Sequence, residues 1–141
     1  MTINKQSVEE LVVDICSDTF NMDVKLAAPS QSVQEHSKTA AIKIKGDWQG
    51  EVYFSCTDDY LKQLAAALHE LHGVEISEEY YDDMLCEMTN VVGGAIKSLM
   101  DGECQLSTPN YPVQAPSQDQ VEFATMIECH GQLAYLQVVA H

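Results

Sequence analysis

Asp83, Glu87, Asn90 and Gly94 stand at i, i+4, i+7 and i+11. On a helix turning about 100° per residue these spacings form one narrow row. The amide of Asn90 can donate and accept hydrogen bonds, and the Glu87 carboxylate lies one turn away. The row is unusual for a plain surface helix. Asn is a poor helix former because its side chain competes for backbone hydrogen bonds. Gly costs roughly 1 kcal/mol against Ala in a helix interior, and here Gly93 and Gly94 are adjacent. A glycine on an exposed row lets another backbone approach closely. Tight packing within the chain is the other reason to place one there.

Two further groups hold reactive residue types. His69 and His72 stand at i, i+3 beside Glu70, but Leu68 and Leu71 flank them. No third ligand follows at a recognisable spacing, so solvent-facing histidines are expected rather than a metal site. Cys86 adjoins Glu87, yet the wheel puts it off the polar row with no histidine to activate it. It joins Cys16, Cys56, Cys104 and Cys129 in an odd set with no Cys-x-x-Cys pair. That usage reads as reduced thiols, mostly buried as small hydrophobes, in a cytoplasmic protein.

The row needs a helix to carry it. Ser77-Glu78-Glu79 opens the longest periodic stretch, which Gly102 closes, predicting a helix from Ser77 to Asp101. Tyr81, Leu85, Met88, Val92, Ala95 and Leu99 gather opposite the polar row and predict its core face. Around it, a helix is expected from Ser7 to Phe20 and a short strand from Asn21 to Leu26. A polar loop runs from Ala27 to Ser37. Thr39–Lys45 and Glu51–Cys56 then form a hairpin about Gly46–Gly50. Thr57-Asp58-Asp59 caps a helix carrying Leu61, Leu64, Ala65, Leu68 and Leu71, which Gly73 stops. Cys104–Ser107 reads as a strand, and Thr108–Gln120 as a loop holding Pro109, Pro112 and Pro116. Val121–Cys129 and Gln132–Ala140 make a second hairpin turning at His130-Gly131. The order helix, strand, loop, hairpin occurs twice. This predicts an α+β class: a layered domain with a central mixed or antiparallel sheet, built from two duplicated α-β-loop-β-β units.

The 141 residues suit one domain over 1–141. The start of the chain has no apolar run of the kind an export signal carries, and no stretch reaches the roughly 18 apolar residues of a membrane span. The net charge is −15, from 22 acidic against 7 basic residues. Such a field repels nucleic acid and anionic membranes.

Asp83-x-x-x-Glu87-x-x-Asn90, followed by Pro112, resembles the signature of the CheC/CheX/FliY phosphatases. Ile44-Lys45-Gly46-Asp47-Trp48-Gln49-Gly50-Glu51-Val52 is similar to the hairpin before the family's middle helix, and Glu87–Gly94 to its active helix. The resemblance runs from the first helix to the last hairpin and lies nearest CheX. It implies a CheC-like fold and hydrolysis of the aspartyl phosphate of a phosphorylated CheY-like response regulator. It implies that Asn90 orients the attacking water and that Glu87 pairs with a regulator lysine. Asp83 fills a position where the family takes Asp or Ser, and Pro112 shapes a nearby loop. The family needs no cofactor of its own, since Mg²⁺ sits in the regulator. Some members have two active helices. Here the first helix lacks a Glu-x-x-Asn, because Glu9 meets Val12 and Glu10 meets Val13. The single-site arrangement resembles CheX, which implies a homodimer. The alternative is a docking module that binds a regulator or flagellar component without turnover.

Overall fold

The computed structural model describes residues 4–28, 37–69, 77–100 and 102–141. Helix α1 spans Lys5–Asp18. It begins two residues earlier than predicted because Asn4 caps it, accepting from the Ser7 amide at 2.9 Å. The expected strand from Asn21 shrinks to β1, Lys25–Ala27, because Asn21 takes a left-handed φ of 54°. The first hairpin forms as predicted from β2, Lys38–Gly46, and β3, Gly50–Cys56. Helix α2 spans Asp58–His69; its expected continuation to Leu71 and Gly73 lies outside the described residues.

Helix α3 spans Glu78–Ser98, with Ser77 as its cap accepting from the Tyr80 amide at 3.3 Å. It ends earlier than the predicted Asp101. The chain reverses at Gly102, whose φ is +86°, and a Cβ there would strike the Asp47 carboxylate. That carboxylate accepts from the Glu103 amide at 2.9 Å, so glycine and aspartate together set the exit from α3. Strand β4 is Cys104–Leu106. A single 3₁₀ turn, Gln118–Gln120, interrupts the following loop. Strands β5, Phe123–Cys129, and β6, Gln132–Ala140, turn through His130 and Gly131, both left-handed.

The six strands form one antiparallel sheet in the order β1-β5-β6-β3-β2-β4. Exchanging β1 with β4, β2 with β5 and β3 with β6 returns the same order read backwards. The expected units, α1-β1-β2-β3 and α3-β4-β5-β6, are therefore both present, and they are interleaved. Each short strand edges the other unit's hairpin: β1 pairs with β5, and β4 with β2. Helix α2 lies outside the repeat. The helices cover one face. Ala40, Ile42 and Ile44 of β2, Val52, Phe54 and Cys56 of β3, and Leu136 and Val138 of β6 meet the buried faces of α1, α2 and α3. A smaller cluster of Met126 and Tyr135, joined by Ala27, Ala124 and Leu133, belongs to the alternate strand positions.

Lys38 ties the layers at the start of α3. Its Nζ lies 3.0 Å from Asp58 Oδ1 and 3.0 Å from Asp82 Oδ1, and it also pairs with Glu78. The Tyr81 ring centroid is 6.0 Å away. Burial by itself lowers the lysine's affinity for its proton, but bonding to Glu78, Asp58 and Asp82 outweighs that and holds it above the usual lysine range. This network is part-exposed, so its worth is discounted for screening. We expect Lys38→Met to lower unfolding free energy by about 1–3 kcal/mol at neutral pH. A group raised on folding contributes fully below its unfolded value, about 10.4, and loses that contribution as pH climbs toward the folded value. Urea unfolding of both proteins from pH 7 to 11 checks this. The gap between them should hold up to about pH 10 and then narrow; no gap at pH 7 would discount the clamp.

Candidate functional site

Helix α3 presents two faces because its sequence separates them by half a turn. Tyr81, Met84, Leu85, Met88, Thr89, Val92, Gly93 and Ile96 are buried. Tyr81, Leu85, Met88 and Val92 match the predicted stripe. Ala95 and Leu99 are only half-buried, and the buried face adds Met84, Thr89, Gly93 and Ile96 to the expected stripe. Thr89 can join the buried face because its hydroxyl is satisfied inside the helix, donating to the Leu85 carbonyl at 2.7 Å.

Asp83, Glu87 and Asn90 are exposed on the opposite side. No side-chain hydrogen bond or ion pair ties any of the three to the other described residues. They share a groove of about 520 Å³ with Cys86, Leu106, Ser107, Thr108 and Pro109. One wall is α3, and the other is the end of β4 and the segment after it. That second wall is held to β2. The Ser107 amide donates to the Lys43 carbonyl at 2.9 Å, and the Lys43 amide donates to Ser107 Oγ at 2.9 Å. Further along, Asn110 and Ala41 exchange backbone bonds at 2.8 and 3.0 Å, and the Val113 amide donates to the Thr39 carbonyl at 3.1 Å. A rigid strip thus faces a rigid helix.

Of the residues singled out in the sequence, Asp83, Glu87 and Asn90 come together here. Pro112 does not line the groove; it is exposed, after a cis Tyr111–Pro112 bond, in the segment sealed against β2. Its neighbour Tyr111 has a hydroxyl pushed up by burial first and then by the Asp82 charge. Gly94 also stands outside the groove lining, one turn beyond Asn90. The opposite wall, Leu106 to Pro109, carried no sequence signal because it comes from another element. Cys86, set aside on the wheel, does line the groove. Burial raises its thiol pKa, and Asp83 and Asp82 raise it further, so the thiolate a nucleophile needs is disfavoured. The side chains of His69 and His72, with Glu70, lie outside the described residues. All five cysteines are unpaired, and no helix among the described residues is long and apolar enough to cross a membrane.

The model for the family described as "Chemotaxis phosphatase CheX" matches residues 38–118, more than half of the chain. The chain belongs to the CheX family. That match holds the helix and both walls of the groove. No curated protein sequence matches this chain. Solved structures agree on the fold. The chemotaxis protein CheX from Vibrio vulnificus superposes with a TM-score of 0.76 at 12% identity, covering 96% of this chain and 95% of that one. A CheC-like superfamily protein from Shewanella sp. PV-4 gives 0.72 at 17% identity, covering 100% and 99%. CheX in a complex of CheX, CheY, BeF3 and Mg²⁺ from Borrelia burgdorferi gives 0.72 at 12% identity, covering 99% of each chain. The layered α+β expectation therefore holds, with the sheet wholly antiparallel.

Gly93 explains how close α3 comes to the sheet. A Cβ there would lie 2.5 Å from Ile42 Cγ2, and Ile42 is buried and stiff at χ1. Gly93→Ala should therefore destabilise the protein by about 1–2 kcal/mol despite the better helix propensity. Chemical denaturation measures it, and an unchanged midpoint would count against this contact.

Proposed function

We propose that this chain hydrolyses the aspartyl phosphate of a CheY-like response regulator, with Asn90 orienting the attacking water and Glu87 pairing with a lysine of the regulator. The observation that carries the reading is the exposure of both side chains on one rigid helix, free of bonds to the described residues and bordering a groove. Membership of the CheX family supports it, as does the complex that the Borrelia CheX forms with CheY.

The chemistry asks little of this chain. Water forms a bond to phosphorus as the bond to the acyl oxygen breaks, leaving the regulator's carboxylate and inorganic phosphate. An acyl phosphate is already activated, so the helper's task is to place water in line. A side-chain amide suits that task, accepting a hydrogen bond from water through its oxygen and donating one through its nitrogen, as glutamine does in GTPases. Glu87, one turn away, fixes the regulator through charge. Mg²⁺ belongs to the regulator on this reading, and the chain supplies no metal or cofactor of its own. A docking module without turnover is the reading that remains if the chemistry fails.

Asn90→Ala removes the water-positioning amide and leaves the fold intact, since Ala is the better helix former. Single-turnover decay of the phosphorylated regulator should slow by at least about 10²-fold, with little change in binding to the beryllofluoride form. Near-wild-type turnover would falsify the mechanism. Glu87→Ala should weaken binding instead, and the deficit should shrink at high salt, where the ion pair is already screened.

We also propose a homodimer. The β2 edge is closed by β4 and by backbone bonds from Ser107, Asn110 and Val113. On the opposite edge, β1 covers only Met126–Glu128 of β5 and leaves Phe123–Thr125 without a described neighbour on that side. Leu26 on β1 is 48% exposed. A second copy would pair or pack there. Light scattering at high micromolar concentration should give twice the chain mass; a monomer would rule the dimer out.

A further inference from the structure

The two adjacent glycines of α3 have different explanations, and only one lies inside the chain. Gly93 is required by Ile42. At Gly94 an added Cβ meets nothing nearer than Leu106 Cδ2, at 3.8 Å, an ordinary contact. Packing therefore leaves room for alanine. Backbone conformation does not require glycine either, because Gly94 is not among the positive-φ glycines and sits within the helix, before Ser98. Alanine at this position would add helix propensity and a contact with Leu106.

The location is informative. Gly94 is half-exposed and continues the Asp83-Glu87-Asn90 row one turn beyond Asn90. Side chains on a helix tilt toward its N-terminus and cover the turn before their own Cα. Any side chain at 94 would therefore lean over the surface beside Asn90. We infer that Gly94 is a docking clearance, where backbone of the response regulator comes against α3 closely enough for Asn90 to reach the acyl phosphate. This rests on the phosphatase reading above and assigns the glycine to the partner rather than to the fold.

The test is Gly94→Ala and Gly94→Leu in the full chain, against whichever member of a panel of phosphorylated CheY-like response regulators the wild type dephosphorylates. Gly94→Ala should raise the unfolding temperature by roughly 2–4 °C. It should weaken binding of the beryllofluoride form and slow turnover about tenfold, with Gly94→Leu losing about a hundredfold, the scale of overpacking a close contact. Stable variants that bind and turn over like wild type would overturn the clearance and leave the phosphatase reading standing. A Gly94→Ala protein that melts below wild type would also overturn it, because the glycine would then serve the fold. A wild type that dephosphorylates no member of the panel would remove the phosphatase reading, and the clearance with it.

Discussion

The close approach of Gly93 to Ile42 sets the rest of the site. A helix packed on a sheet can rotate about its axis until something stops it. Here the missing side chain at 93 lets α3 sink onto β2, and the stiff side chain of Ile42 occupies the space above that backbone. With 93 turned inward, 87 and 90 face away from the sheet. The two ends of the helix are fixed independently. Lys38 gathers Asp58, Glu78 and Asp82 at one end, and Asp47 holds the Glu103 amide just past the other. The role proposed for Asn90, positioning one water, needs a side chain that does not wander, and a 21-residue helix pinned at its middle and near both ends suits it.

The interleaved repeat gives the site its second wall. If each unit kept its short strand to itself, β4 would lie at the edge of its own hairpin, β5–β6. Instead it crosses to β2, bringing Leu106 and the following residues alongside α3. The equivalent crossing by β1 places it against β5, under α1. The scaffold is thus doubled while the exposed acid–amide pair is not, since α1 offers valines where α3 offers Asn90. One half of the repeat carries the groove and the other completes the sheet.

An acidic chain with so sparse a site is physically coherent. Glu87 and Asp83 stand in solvent on a surface whose net charge is −15, and a field of that sign favours encounter with a basic patch. Among the described residues of the groove, Cys86 is not a nucleophile held ready: burial and the neighbouring carboxylates push its thiol up. The demanding parts of acyl-phosphate hydrolysis, the activated bond and the metal, reside in the substrate protein on this reading. That leaves this chain with geometry to supply.

The periodicity of α3 was enough to separate Glu87 and Asn90 from the core, because helical spacing alone decides which side chains share a face. Alternation and turn residues likewise located both long hairpins, and the repeated order of elements revealed the duplication. Local rules failed where local signals competed: the strand expected from Asn21 dissolved around one left-handed residue, and Thr89 went inside because its hydroxyl could bond its own helix. Other features belong only to the tertiary structure. Lys38 reads as an ordinary strand lysine until α2 and α3 bring three carboxylates to it. Leu106 to Pro109 read as strand end and loop until β4 crosses to the other unit. The pair Gly93-Gly94 reads as one anomaly in the sequence. Only the packed sheet divides it into a glycine the fold requires and a glycine the fold does not, because the distance from a backbone atom to Ile42 depends on which elements meet.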